Sequence, residues 1–171
     1  MASFQGWQIK ERMSRLARAY QRAGRPVDLV DYAFEVDMGG NILAGSTVGP
    51  FVVKVPAEAQ FVWLGNTLFR YVEQGNNGGS VERPNAVFVR IKLRSSGATL
   101  GRAIRAAGDQ DREWIPIGNF AGSGRIPAYW PFPLILDGGE EIVFDCSNQL
   151  ATAASIKLTL IGVQLYRQGA A

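Results

Sequence analysis

The 171-residue sequence contains no histidine. That removes the commonest general base, the base of a hydrolytic triad and the commonest metal ligand. It contains one cysteine, Cys146, which excludes disulfide frameworks and Cys-cluster zinc sites. With no histidine to activate it, and with its place in a strand-like stretch, Cys146 reads as an inert thiol. There is no Asn-x-Ser/Thr sequon and no apolar run long enough to span a bilayer. The first 20 residues hold Lys10, Glu11, Arg12, Arg15 and Arg18, so no apolar core of a signal peptide is present. The expectation is a protein made in a cytoplasm, with no membrane partner, no cofactor, no metal and no enzymatic activity.

Apolar residues make up 47% of the chain and charged residues 19%, a balance that supports a packed core. Gly 20 and Pro 8 together are about one residue in six, which suits many short strands better than a helical bundle. Charge is unevenly placed. Residues 1–26 carry Lys10, Arg12, Arg15, Arg18, Arg22 and Arg25 against Glu11 alone, leaving 12 basic and 14 acidic side chains in the other 145 residues. The basic character therefore belongs to an N-terminal arm on a nearly neutral body.

The arm has a helical period. Ile9, Met13, Leu16 and Tyr20 share one face, and Arg12, Arg15, Arg18 and Arg22 form a neighbouring cationic stripe. Gly24 and Pro26 supply a stop. After Pro26 the period becomes two. Val30, Tyr32, Phe34, Val36 and Met38 alternate with Asp31, Ala33, Glu35 and Asp37, predicting a half-buried strand with an acidic outer face. Further strands are predicted at 51–55, 87–93, 114–117, 134–136, 141–146 and 156–166. A hairpin is expected around Gly65-Asn66, joining 60–64 to 67–73, and another around Asp137-Gly138-Gly139. Loops are expected at 75–80, 95–113 (with a possible short helix near 100–107) and 118–133. The pattern predicts a mainly β fold in two parts: a helical arm over 1–26 and an antiparallel β-sandwich or barrel over 27–171. Long first and last strands with short ones between favour a jelly roll.

Candidate chemistry is thin. Asp109-x-Asp111-x-Glu113 lacks the glycine and closing glutamate of a calcium loop and reads as solvated. Gly122-Ser123-Gly124-Arg125 lacks the lysine of a phosphate loop. Glu140 and Glu141, being adjacent in a strand, point to opposite faces. Candidate binding surfaces are more numerous. Arg90, Lys92 and Arg94 alternate on one strand face, a basic strip for an acidic neighbour or for phosphates. Trp63, between Val62 and Leu64, reads as core, while Tyr129-Trp130 between prolines is the best exposed platform for a glycan. On the arm, Trp7, Ile9, Arg12, Met13, Arg15, Leu16, Arg18 and Tyr20 form the expected partner-binding set. Docking its five apolar side chains gains roughly 8–15 kcal/mol gross, against an association cost of ~4–15 kcal/mol. A single arm is therefore marginal, and many arms on one oligomer bind through effective concentration.

The segment from Arg125 to Tyr166 has a recognisable order. Pro-Phe-Pro at 131–133 leads to a strand, then Asp-Gly-Gly-Glu at 137–140, a strand ending at Cys146-Ser147-Asn148, a polar link, and a long last strand through Ile161-Gly162-Val163-Gln164-Leu165-Tyr166. This resembles virion structural proteins of tailed bacteriophages, particularly jelly-roll capsid cement or decoration proteins. The resemblance implies a non-enzymatic protein located in the virion, which binds the major capsid protein and its own copies and stabilises the lattice. It carries over no site residues. The rival expectations are a carbohydrate- or receptor-binding module using Tyr129 and Trp130, and a nucleic-acid binder using the arm.

Overall fold

The alternating apolar residues become strands. The computed structural model describes residues 27–73, 86–97, 114–122 and 127–167, together with Glu11, Ser14, Arg15, Arg18, Ala19 and Arg22. In chain order the described elements are β1 (Val27–Asp37), β2 (Thr47–Lys54), β3 (Ala59–Glu73), β4 (Val87–Leu93), β5 (Ile115–Pro116), α1 (Ile117–Ala121), β6 (Ala128–Leu136), β7 (Glu141–Asn148) and β8 (Ala154–Arg167). The six described residues of the arm have helical backbone. Trp7, Ile9, Arg12, Met13, Leu16 and Tyr20 lie outside the described residues, as do the expected loop at 75–80 and most of the one at 95–113.

The strands form two four-stranded sheets, ordered β1-β8-β3-β6 and β2-β7-β4-β5, with every pairing antiparallel. β1 therefore lies beside β8, β2 beside β7, and β4 beside β5, while β3 lies between β8 and β6. The first half of the chain is laid against the second half in reverse. One core joins the inner faces: Val36, Phe61, Trp63, Leu136, Ile156, Leu158 and Leu160 from the first sheet meet Val53, Val89, Ile91, Ile142, Phe144 and Cys146 from the second. The mainly β fold is a sandwich of two antiparallel sheets.

Three expectations are corrected. Residues 60–73 are not a hairpin but one long strand, β3, with register shifts beside Leu64 and Phe69. Gly65 is there for another reason: a Cβ would lie 2.3 Å from the carbonyl oxygen of Ala128 and 2.8 Å from the Tyr129 Cα, so β6 passes too close for a side chain. Asn66 points inward, accepting a 2.8 Å hydrogen bond from the Trp63 Nε1–H and donating one of 3.2 Å to the Phe120 carbonyl oxygen. Second, Asp137-Gly138-Gly139 does not close a hairpin. β6 and β7 belong to different sheets, and the turn carries the chain across the sandwich. Third, the stretch expected to be irregular at 118–133 holds most of α1 and the first half of β6. Prolines are tolerated in β6 because it is an edge strand.

The loops are held by a buried amide. Asn148 donates from Nδ2 to the carbonyl oxygens of Ile42 and Thr152, each at 2.9 Å, and its Oδ1 accepts the Leu150 N–H. The side chain thus ties the β1–β2 connection to the β7–β8 connection.

The close approach at Gly65 yields a direct test. Gly65→Ala is expected to cost about 2–3 kcal/mol or more, because backbone on β6 must move. Gly40→Ala, where a Cβ would meet nothing within 4 Å, is expected to change stability by less than about 0.5 kcal/mol. Urea unfolding midpoints for the two variants check this.

Candidate functional site

The basic strip on β4 is built as the alternation dictates, but its surroundings change its meaning. Val87, Val89 and Ile91 point into the core, so Arg90 and Lys92 stand on the outer face of the second sheet, and Arg94 follows the strand end. In the register of β4 with β7, Arg90 lies opposite Asp145 and Lys92 opposite Val143. Arg90 donates from Nε and Nη2 to the Asp145 Oδ2 at 3.0 and 2.8 Å. Its guanidinium also sits 4.8 Å from the ring centroid of Trp114, a stacking that favours arginine over lysine. Arg94 pairs with Glu141 at 2.6 Å, and the next residue, Ser95, donates from its hydroxyl to Glu140. The strip is therefore interleaved with carboxylates of its own chain. The half-buried Arg90–Asp145 pair is the firmer of the two. The Arg94 pair is exposed and contributes at most about 1 kcal/mol.

Glu140 and Glu141 serve this face and do not oppose one another. Lys157 pairs with Asp37 at 2.8 Å on the other sheet. Among the described residues, no group of three or more His, Cys, Asp or Glu side chains is placed to hold a metal ion, and no helix is long and apolar enough to cross a membrane. Asp109, Asp111, Glu113 and Ser123–Arg125 lie outside the described residues.

The expected glycan platform is displaced. Trp130 is buried, on the inner side of β6, with its ring centroid 5.6 Å from Trp63 and 5.5 Å from Phe120. Among the described residues its Nε1–H has no hydrogen-bond partner, although a buried indole N–H usually finds one. Tyr129 points the other way and packs against a separate cluster formed by Val62, Leu64, Val163 and Leu165. The two residues are on opposite faces of the sheet and do not form one platform.

The surface feature that sequence reasoning missed is the β1 edge. Among the described residues, β1 ends the first sheet and pairs with β8 alone. Leu29, Val30 and Tyr32 are among its exposed large apolar side chains. Tyr32 leads into an aromatic ladder through Phe34 to Phe61, with centroid spacings of 4.7 and 4.8 Å. Asp31 and Glu35 stand exposed on its outer side. An eleven-residue edge strand of this kind is a surface to which another chain can add, and its carboxylates favour a basic partner over a second copy of the same strand. The signal was in the sequence as an alternating strand. Its position at a sheet edge was not.

Arg15 and Arg18 of the arm are exposed, with Arg22 beside them. Glu11 pairs with Arg15 one turn on, and the Arg18 Nε–H donates to the Ser14 carbonyl oxygen.

No protein-family model matches the chain, and no curated protein matches it in sequence.

Burial of Cys146 pushes its thiol up to about 12, from 9.0 in water. The folded state therefore holds the thiol neutral where the unfolded chain ionises it, and stability is fully present below pH 9 and is lost as pH rises from there toward 12. Two results are expected. A thiol reagent at pH 8 modifies Cys146 only on unfolding, and Cys146→Ala has a shallower loss of stability than the parent between pH 9 and 11 in urea titrations.

Proposed function

We propose that this chain is a non-enzymatic structural component of a virus particle. In this reading it is a jelly-roll sandwich that binds the major capsid protein and neighbouring copies, in the manner of the phage cement and decoration proteins. The observation that carries the reading is the strand order. Sheets ordered 1-8-3-6 and 2-7-4-5 are what a long antiparallel ribbon gives when it is folded over on itself, the arrangement of the double-sheet jelly roll.

That architecture serves capsid proteins, lectins and cupins alike, so the site must choose among them. Cupin chemistry draws on histidine ligands, and the sequence has none. Glycan stacking needs exposed aromatics, and Trp130 is turned into the core. What the surface offers is a long apolar edge flanked by carboxylates, a charge-laced sheet face and an exposed arginine set. These features suit lateral contacts in an assembly. A lattice adds the multivalency that makes weak individual contacts sufficient.

A second reading has one observation in its favour. The exposed Arg15, Arg18 and Arg22 fit phosphates, so nucleic-acid binding through the arm is the alternative.

Sedimentation of the native source material on a density gradient, with each fraction probed for this chain, separates the readings. Co-migration with megadalton particles at a fixed copy ratio is the expected result. Recovery only at the top of the gradient contradicts the virion reading. In that event, duplex binding by the purified protein that falls steeply with salt supports the nucleic-acid alternative.

A further inference from the structure

A sheet edge invites another chain to add a strand, and proteins commonly blunt it with proline, with a bulge or by keeping it short. The two sheets end in four strands: β1 and β6 in the first, β2 and β5 in the second. β5 is two residues long. β6 contains Pro131 and Pro133. β2 contains Pro50 and shifts register between Val48 and Phe51. β1 is eleven residues long, has no proline, and keeps one register with β8 from Val27 to Asp37. Of the four edges among the described strands, β1 alone has none of these devices.

The ladder sets which backbone groups face outward. The Met38 N–H donates to the Ile156 carbonyl oxygen of β8 at 3.0 Å. In an antiparallel ladder alternate residues turn their N–H and C=O groups to the same side. With the register unbroken, Val36, Phe34, Tyr32 and Val30 therefore face β8, and the N–H and C=O of Leu29, Asp31, Ala33 and Glu35 point away from it. Side chains alternate with the same period. Val36 and Met38 enter the core and Phe34 packs against it, so Val30 and Tyr32 belong to the inner side. Even so, Val30 is 46% and Tyr32 38% exposed, which means the second sheet leaves this part of β1 open. Leu29, Asp31, Ala33 and Glu35 stand exposed on the outer side. A strand added here meets apolar side chains on one face and carboxylates on the other.

Charge selects the occupant. On β8, Asp31 lies opposite Val163 and Glu35 opposite Thr159, so neither carboxylate has a cation across the ladder. Lys157 pairs with Asp37. A second copy of β1 would crowd further carboxylates onto the same outer face, and like charges in cross-strand positions repel. A basic strand reverses that sign. We propose that β1 is the docking strand for an extended, basic segment of a partner protein, which adds to the sheet beside Leu29–Glu35. The added strand has Lys or Arg at the two positions facing Asp31 and Glu35, and apolar side chains at the positions facing Val30, Tyr32 and Phe34. Backbone hydrogen bonds to the outward groups of β1 give affinity, and the alternating side chains give specificity. The proposal stands apart from the virion reading, since it concerns the chemistry of the partner segment and not the particle it belongs to.

Peptide titration of the isotope-labelled full-length chain tests it. The probe is Thr-Val-Lys-Val-Thr-Val-Lys-Val-Thr, and the control carries Glu in place of both lysines. The lysine peptide is expected to bind roughly tenfold or more tightly than the glutamate peptide. It is also expected to slow amide exchange at Leu29, Asp31, Ala33 and Glu35, whose N–H groups point outward, and to leave Val30, Tyr32 and Phe34 little changed. Asp31→Lys combined with Glu35→Lys, both at exposed positions, is expected to reverse the preference between the peptides. No binding of the lysine peptide, equal binding of the two, or binding without the alternating exchange pattern overturns the proposal. So does the same pattern arising without peptide as protein concentration rises, which makes a second copy the occupant. The gradient experiment above reports on the virion reading alone, so either can fail without the other.

Discussion

The structure depends on β8. It is a fourteen-residue strand in the middle of a sheet, paired along its length with β1 on one side and β3 on the other. Its inward residues Ile156, Leu158 and Leu160 supply the shared core, and its outward residues Val163 and Leu165 are buried as well. A strand buried largely on both faces has little solvent side on which to carry charge, and β8 carries none between Lys157 and Arg167. One glycine shows how tight the fit is. A Cβ at Gly162 would meet the Phe61 ring at 2.3 Å, so the aromatic ring occupies the place of the missing side chain. The aromatic ladder from Phe61 to Phe34 and Tyr32 then carries the packing outward to the β1 edge.

Among the described residues the buried polar side chains are Asn66, Asn148, Ser155 and Gln164, of which Asn66 ties β3 to α1 and Asn148 ties two loops together. Cys146 is held as a neutral thiol among apolar neighbours. Among the described residues the surface offers a strand edge, alternating charge and exposed guanidinium groups, features suited to recognising other macromolecules through area and complementarity. The proposed assembly role draws on these features.

Much of the fold was legible because burial on one face writes a period of two into the sequence. β1, β4, β7 and β8 fall within a few residues of their predicted positions for that reason. The misreadings share a cause. Gly65-Asn66 and Asp137-Gly138-Gly139 carry the local chemistry of turns, but what they do is set by distant neighbours. Gly65 makes room for β6, and Gly138 sits where a Cβ would lie 2.3 Å from the Ala57 carbonyl oxygen. Trp130 was expected at the surface from its flanking prolines, whereas edge position explains the prolines and inward alternation explains the burial. The basic strip was read correctly as a face, yet its carboxylate partners come from β7, some fifty residues later in the chain. Sheet order and cross-strand pairing are non-local, and no window of sequence contains them.

Native-state hydrogen exchange on the full-length chain tests the central role of β8 most directly. If β8 is the doubly covered spine of the sandwich, amides from Ile156 to Leu165 exchange only through global unfolding, while the outward-pointing amides of β1 exchange orders of magnitude faster. Exchange in 161–165 as fast as that on the β1 edge would contradict the account.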